Sequence, residues 1–336
     1  MRKKVYAFGE VMMRLEAPNF KKLEQTHTLD FSFSGTGVNV LSALSHYGHH
    51  TSLITKLPAN RIGNAAAAFI RSLGIGIPSV VYGGNYIGMY ILERGFGPRP
   101  SKVTYTNRVE SSFCQSSLKD YQLESIFEDA SLVHFCGISL AVSKRTRDLT
   151  LEIARKAKER GIKISFDCNY RPSLWEGYEE ARPVYKKMLE LCDICFMNEK
   201  DALHLLEIPT TETELERQIE SLLPIVSKLY KIPTIAGTIR TIISTDKQLL
   251  KGFLVKNNEV IFSVSQPLQI LDRIGGGDGF ASGILHGELN GLSAQDTINF
   301  AVASGILAHS TYGDSPISSL QDVLSFLNQQ NQDVER

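Results

Sequence analysis

Short, near-continuous apolar runs alternate along this chain with longer amphipathic stretches, and that alternation constrains the fold more than any single motif. "KVYAFGEV" and "TSLITKL" read as strands, and "GVNVLSALSHYG" between them reads as a helix closed by Gly48. "SLVHFCGI", "KISFDCNY" and "DICFMN" are apolar along most of their length, as strands buried on both faces of a parallel sheet are. Between these lie "KRTRDLTLEIARKAKERG" and "EARPVYKKMLELC", whose apolar residues recur at helical spacing. Strand, helix, strand order predicts an α/β fold, doubly wound through right-handed crossovers. A chain of 336 residues has the length to bury the core such a fold needs.

Two segments break the rhythm. Residues 11–33 and 86–112 alternate polar and apolar residues with Gly and Pro punctuation, the pattern of antiparallel hairpins. Both interrupt the α/β pattern, so they are expected to pack together as a small β-sheet standing off the main sheet, placed to act as a cover. The closing "NQQNQDVER" is expected to be a frayed polar tail.

Charge and cysteine usage narrow the function. Lysine plus arginine (36) equals aspartate plus glutamate (36), so no overall field draws the protein to nucleic acid or an anionic membrane. Its partner is expected to be a small molecule. No apolar stretch reaches the length of a membrane span, and the N-terminus lacks a signal-length apolar run with a cleavage site. Five cysteines, an odd number, argue against a disulfide framework and for a reducing, cytoplasmic setting. Cys192 and Cys195 form a C-x-x-C, but no second ligand pair accompanies it. They are read as small buried side chains on a strand.

The chemistry concentrates in "DRIGGGDGF", residues 272–280, between the strand-like "SVSQPLQILDRI" and the helical "GFASGILHGEL". A Gly-Gly-Gly turn can take left-handed angles and aim consecutive N–H groups at one point. The helix that follows adds the positive end of its dipole there. Together these make an anion site, with Asp278 facing whatever the amides hold. Asp278 then serves either as a helix cap or as a base that takes the proton of an attacking hydroxyl; the second is what phosphoryl transfer requires. No G-x-x-x-x-G-K-[ST] occurs, and the dinucleotide fingerprint fails both here and at "GTGVNV".

With these residues the chain resembles the carbohydrate kinases of the ribokinase type, the PfkB family. That family's D-T-x-G-A-G-D-x-F-x-x-G is matched by "DRIGGGDGFASG", with departures at Arg273 and Gly276. "FSGTGVNVLSALSHYG" resembles its sugar-binding G-G-x-x-x-N-x-A, with Gly35 and Asn39 on the matching positions. There a side-chain-free backbone lets a sugar approach, and Asn offers paired donor and acceptor groups. "GEVMMRLEAP" and "FDCNYRPSLW" resemble the branch that phosphorylates 2-keto-3-deoxygluconate, a sugar acid. Arginine grips carboxylates in bidentate fashion, and Arg171 follows the carboxyl end of a strand, where such sheets present ligands.

The resemblance spans nearly the whole chain and implies a three-layer α/β/α, ribokinase-like fold with a mostly parallel sheet and a small β-sheet lid. It assigns residues 1–10, 34–85 and 113–330 to the kinase core, 11–33 and 86–112 to the lid and 331–336 to a polar tail. Asp278 with Gly275, Gly276 and Gly277 is the implied catalytic set. Gly35, Asn39, Tyr90, Tyr105, Arg108, Arg171 and Asp314 are implied at the sugar acid, with Asn107 competing for the place of Arg108. Asn169, Asn198, Gly237 and Thr238 join Gly275 and Gly277 at the nucleotide. ATP is the implied co-substrate and Mg²⁺ the cofactor, held through phosphates and water, with Asp201 standing where the family has Glu. A monovalent cation is a further family feature. Exposed lid edges imply pairing between subunits. Other readings stay open at this point: another sugar kinase specificity (ribose, fructose or 5-keto-2-deoxygluconate), or a sensor that binds without consuming ATP.

Overall fold

The computed structural model describes residues 4–243 and 247–328, so the expected polar tail at 331–336 lies outside the described residues. In chain order the strands are β1 (Lys4–Phe8), β2 (Met12–Glu16), β3 (Asp30–Ser34), β4 (Thr51–Leu57), β5 (Val80–Tyr82), β6 (Gly88–Glu93), β7 (Lys102–Thr106), β8 (Ala130–Cys136), β9 (Lys163–Asp167), β10 (Ile194–Phe196), β11 (Thr234–Ile242), β12 (Lys247–Lys256), β13 (Glu259–Phe262) and β14 (Gln266–Gln269). One ten-stranded sheet runs β13-β12-β11-β10-β9-β8-β1-β4-β5, with β14 on β12. From β5 to β11 all pairings are parallel, and β12, β13 and β14 close one end as antiparallel hairpins.

Alternation along the central strands feeds two cores, one on each face. Tyr6 and Phe8 of β1 join Phe135, Phe166, Ile153, Met188 and Leu222 on one side. Val5 and Ala7 of the same strand join Leu41, Ile70, Ile284 and Val302 on the other. Helices Lys144–Glu159, Tyr178–Leu189 and Leu215–Tyr230 therefore cover the first face, and Thr36–His46, Arg61–Ser72, Gly276–Asn290 and Ala294–Ala308 the second. The result is the expected three-layer α/β/α arrangement. Helices Gly276–Asn290 and Ala294–Ala308 approach closely because Gly283 lacks a side chain: a Cβ there would lie 2.4 Å from Ala301 Cα. All five cysteines are buried and free; Cys195 lies on β10 and Cys192 just before it, as small core side chains. No helix among the described residues is long and apolar enough to cross a membrane.

The two rhythm-breaking segments form a separate four-stranded sheet, β3-β2-β6-β7. Each is an antiparallel hairpin, and the hairpins join through a parallel β2–β6 pairing in which Arg14 stands opposite Tyr90. Ionic contacts tie this sheet to the main body, beside the apolar packing of Phe33 and Ile274. Arg14, 1% exposed, projects from β2 and bonds Asp314, Asp272 (2.8 Å) and Glu16. Arg94, at the end of β6, bonds Asp272 as well (2.9 Å) and pairs with Glu16. Tyr90 and Ser34 donate their hydroxyls to the Asp314 carboxylate. Burial works against charge on Arg14, but Asp314, Asp272 and Glu16 outweigh it and hold the guanidinium charged. Asp272 and Asp314 belong to the two loops that flank the glycine turn, so the small sheet is fastened to that turn and not only to the surface around it.

Removing one member of a buried ionic network strands its partners in a low-dielectric interior. Arg14→Met is expected to cost roughly 3–5 kcal/mol of stability, read as a lower urea midpoint at neutral pH. A midpoint equal to that of the parent would show that the network contributes nothing.

Candidate active site

The parallel sheet presents the carboxyl ends of its strands to one open cavity of about 750 Å³ beneath the small sheet. Crevices at this edge are where α/β sheets bind ligands. Every residue expected from the sequence to act reaches this cavity: Gly35, Asn39, Tyr90, Tyr105, Arg108, Arg171 and Asp314, then Asn169, Asn198, Asp201, Gly237 and Thr238, and the turn Gly275–Asp278. They come from eight separated stretches of chain, brought together by the sheet order.

The turn is the cavity's centre. Strand β14 ends at Gln269, earlier than the strand-like sequence suggested, and an irregular stretch leads to Gly275. Gly275 sits at φ +91° as the residue before helix Gly276–Asn290, a conformation in which an L side chain is strained. A Cβ there would also lie 1.8 Å from the carbonyl oxygen of Asp314. The first helical N–H with an acceptor in the protein belongs to Gly279, bonded to the Gly275 oxygen at 2.8 Å. Those of Gly276, Gly277 and Asp278 stand free among the described residues, as the opening N–H groups of a helix do, and Gly277 is exposed to the cavity.

Gly276, where the resembled family carries alanine, has its own reason. The ring of His309 fills the space of a side chain, and a Cβ would meet its Cε1 at 1.8 Å. His309 is held by a 2.7 Å contact between Nδ1 and the Gly305 oxygen, and burial lowers its pKa, so it packs as a neutral ring. Among the described residues the hole therefore keeps a tiny residue through a matched Gly276–His309 pair.

Asp278 is the third residue of the helix and makes no capping bond, which removes the helix-cap reading. It is 8% exposed, and Oδ2 accepts a 2.7 Å hydrogen bond from Asn39 Nδ2. Burial pushes its pKa up to about 8, with Asp167 and Asp314 adding repulsion, while Asn39 and Arg171 pull it down. Two more carboxyls share the cavity. Asp167, at the end of β9, is raised to about 7 by burial and by Asp201. Asp201 is raised to about 6 by burial and Glu199, against a bond from the Asn198 N–H. No group of three or more His, Cys, Asp or Glu residues among those described is placed to hold a metal ion alone. Such a carboxyl-rich cavity fits a divalent cation held chiefly by a ligand's own oxygens and by water.

Several expected roles change once partners are visible. Gly35 lines the cavity and also lacks a side chain in order to pass Glu10, whose carbonyl oxygen would be 2.2 Å from a Cβ. Both ends of the Asn39 amide are engaged, Nδ2 with Asp278 and Oδ1 with Ser315 Oγ (3.0 Å), so Asn39 reaches the site through Asp278. The Tyr90 hydroxyl is spent on Asp314, which in turn is filled by Arg14, Ser34 and Tyr90. Arg108 is paired through Nε with Glu10 (2.8 Å), and its guanidinium lies over the Tyr105 ring. Tyr105 stands opposite Tyr90 on β7, 53% exposed. Gly237 and Thr238 lie within β11 rather than at its end, because the strand runs on to Ile242 against β12. Asn198 and Asp201 bond reciprocally, which fixes the loop after β10. Asn169 takes φ +38° and donates its N–H to Asp167 at 3.0 Å. Arg171 is the exception: its one hydrogen bond is to the neighbouring Tyr170 carbonyl at 3.3 Å, leaving its charge open to the cavity.

Sequence reasoning missed Glu10, Arg14, Asp167 and Asp272. Asp167 carried a usable signal, an acid directly at the end of an apolar strand; Arg14 sits in a polar–apolar alternation that gives no sign of burial.

Comparison with known proteins agrees with this geometry. A 2-dehydro-3-deoxygalactonokinase of Haloferax volcanii is 26% identical over the whole of both chains. A 2-dehydro-3-deoxygluconokinase of Bacillus subtilis is 25% identical over 96% of this chain and 95% of that one. Among solved structures, an Enterococcus faecalis protein described provisionally as a 2-keto-3-deoxygluconate kinase superposes with a TM-score of 0.94 at 42% identity, covering 99% of both chains. The 2-dehydro-3-deoxygluconokinase of Thermotoga maritima gives 0.93 at 33%, over 98% of this chain and 99% of that one. Residues 2–320 match the pfkB family carbohydrate kinases, and the chain belongs to that family.

Proposed function

We propose that this kinase transfers the γ-phosphoryl group of ATP to the 6-hydroxyl of 2-keto-3-deoxygluconate. The observation that carries the reading is the pairing of Asp278 with free helix-opening N–H groups in one cavity that also holds an uncommitted arginine, Arg171. Asp278 accepts the hydroxyl proton, the sugar oxygen forms a bond to the γ-phosphorus, and the bond to the β-phosphate oxygen breaks to release ADP. The amides of Gly276 and Gly277 stabilise charge growing on the transferring oxygens, and Gly275 sets their direction. Arg171 takes the substrate carboxylate, with the faces of Tyr90 and Tyr105 and the Glu10-bound Arg108 closing the sugar side. Asn39 aims Asp278. Asn169, Asn198, Gly237 and Thr238 line the nucleotide side.

Mg²⁺, when bound to the phosphates, neutralises charge on the leaving and transferring groups, with Asp167 and Asp201 placed to hold its waters. The small sheet acts as the lid that excludes water, whose attack on ATP is the competing reaction. Because the Haloferax relative is named for the galactonate compound, the C4 epimer is the nearest competing substrate. Ribose, fructose and 5-keto-2-deoxygluconate complete a panel.

In an ADP-release assay the 2-keto-3-deoxy sugar acid is expected to outperform the neutral sugars, and Asp278→Asn to lower kcat by about 10²–10⁴-fold while ATP still binds. Turnover near the parent's in that variant would sink the mechanism.

The base works only when ionised, and its pKa in the empty cavity is raised to about 8, so kcat/KM for ATP is expected to fall as pH drops below that value. Asn39→Ala removes a donor that favours the ionised form, and the acid limb is expected to move to higher pH. Superimposable profiles would take Asn39 out of this role.

The edges of the small sheet, β3 and β7, pair on one side only, and the sheet exposes Phe31 (61%), Tyr105 (53%) and Val103 (41%). That surface supports pairing of two copies through their lids. Sedimentation equilibrium is expected to show a dimer; a monomer at tens of micromolar would refute it.

A further inference from the structure

Four cations face the cavity without an ion pair among the described residues: Arg171, which acts only through space on Asp167, Asp201 and Asp278, and Lys200, Arg240 and Arg273. Two of them, Arg240 and Arg273, lie close enough to repel one another. Desolvation in the cavity wall, and then Arg273, hold the Arg240 pKa below its usual value. Both also act on His309, the ring packed against Gly276, so the pair stands beside the glycine turn. Arg240 lies on β11 two residues beyond Thr238, hence on the same face of the strand, and Arg273 lies two residues before Gly275.

Among the described residues no carboxylate forms an ion pair with either of them. Asp272, the chain neighbour of Arg273, is turned away: its Oδ2 is taken by Arg14, Arg94 and the Gly313 N–H (3.2 Å). Asp314 is filled by Arg14, Ser34 and Tyr90. His309 is neutral. Two like charges held side by side on an open wall favour an anion with more than one charged group. Arginine's planar fork suits phosphate oxygens in particular.

We infer that Arg240 and Arg273 clamp the polyphosphate chain of the donor, beyond the phosphoryl group held on the turn, and so set the preference for a nucleoside triphosphate. This inference rests on reading the cavity as a phosphoryl-transfer site. It adds that the β11 side of the turn, and not Arg171, carries the charge recognition of the leaving diphosphate. Arg171 remains for the sugar acid on the opposite side.

The test uses Arg240→Gln, Arg273→Gln and the double variant in the full chain. Both side chains are exposed, so melting temperatures are expected to match the parent's, which confirms that folding is not the readout. Calorimetric titration with Mg-ADP and with inorganic tripolyphosphate needs no turnover. Each single variant is expected to weaken both ligands by about ten-fold or more, the double variant further, and KM for ATP to rise in parallel. KM for the sugar acid at saturating ATP is expected to stay within about two-fold. Unchanged binding of Mg-ADP and tripolyphosphate overturns the inference, and so does a rise confined to KM for the sugar acid. If the parent binds tripolyphosphate, the variants lose it and no sugar acid is phosphorylated, the substrate assignment fails while the clamp stands.

Discussion

The buried ionic cluster around Arg14 is the interaction on which the rest of this structure depends. The glycine turn is short, carries almost no side chains of its own and must keep one residue in a left-handed conformation. Such a turn holds its shape only if the chain on either side is fixed. Asp272 before it and Asp314 against it are both gripped by Arg14, and Arg94 and Glu16 complete the charge set. Ile274 adds an apolar anchor by packing on Met12, Tyr90 and Leu92 of the small sheet. A buried cluster of this kind gives little net stability compared with apolar packing. Its value here is geometric, since it makes the position of the small sheet and the shape of the turn a single property.

Electrostatics divides the cavity into two regimes. Asp167 and Asp278 are raised by burial and by neighbouring carboxylates, and Asp201 by burial and Glu199. Opposite them, Lys200, Arg240 and Arg273 stand without an ion pair among the described residues. The acids and cations of the Arg14 cluster, by contrast, satisfy each other. That contrast separates groups that hold the structure from groups left open to ligands, and the Asp314 carboxylate, the Tyr90 hydroxyl and the Arg108 Nε belong to the first set. In the proposed reaction, a bound magnesium ion would supply positive charge beside Asp167 and Asp201 and so favour the ionised form of Asp278.

Much of the fold was legible along the chain. Strands buried on both faces announce themselves as continuous apolar runs, and the hairpins as polar–apolar alternation with Gly and Pro. The turn was legible too, because only a few functions require three glycines before an acid. The residues that respond to a partner's atoms were harder to read. Gly35 and Gly276 were expected to be small for the ligand or by tolerance. In the structure they are small because the Glu10 carbonyl and the His309 ring occupy that space. Asn39 was expected to touch a sugar, and its bond to Asp278 was not legible from the chain.

The sequence alone determined the layered α/β class, the existence of the small sheet and the glycine turn with its acid, since each follows from local periodicity or from the backbone freedom of glycine. Only the tertiary structure decided which charged side chains are spent and which are free. Arg14 and Asp314 lie 300 positions apart in the chain, and nothing local to either reveals that they neutralise each other. Coulomb pairing depends on distance in space and on burial, and both are set by the order in which the strands assemble.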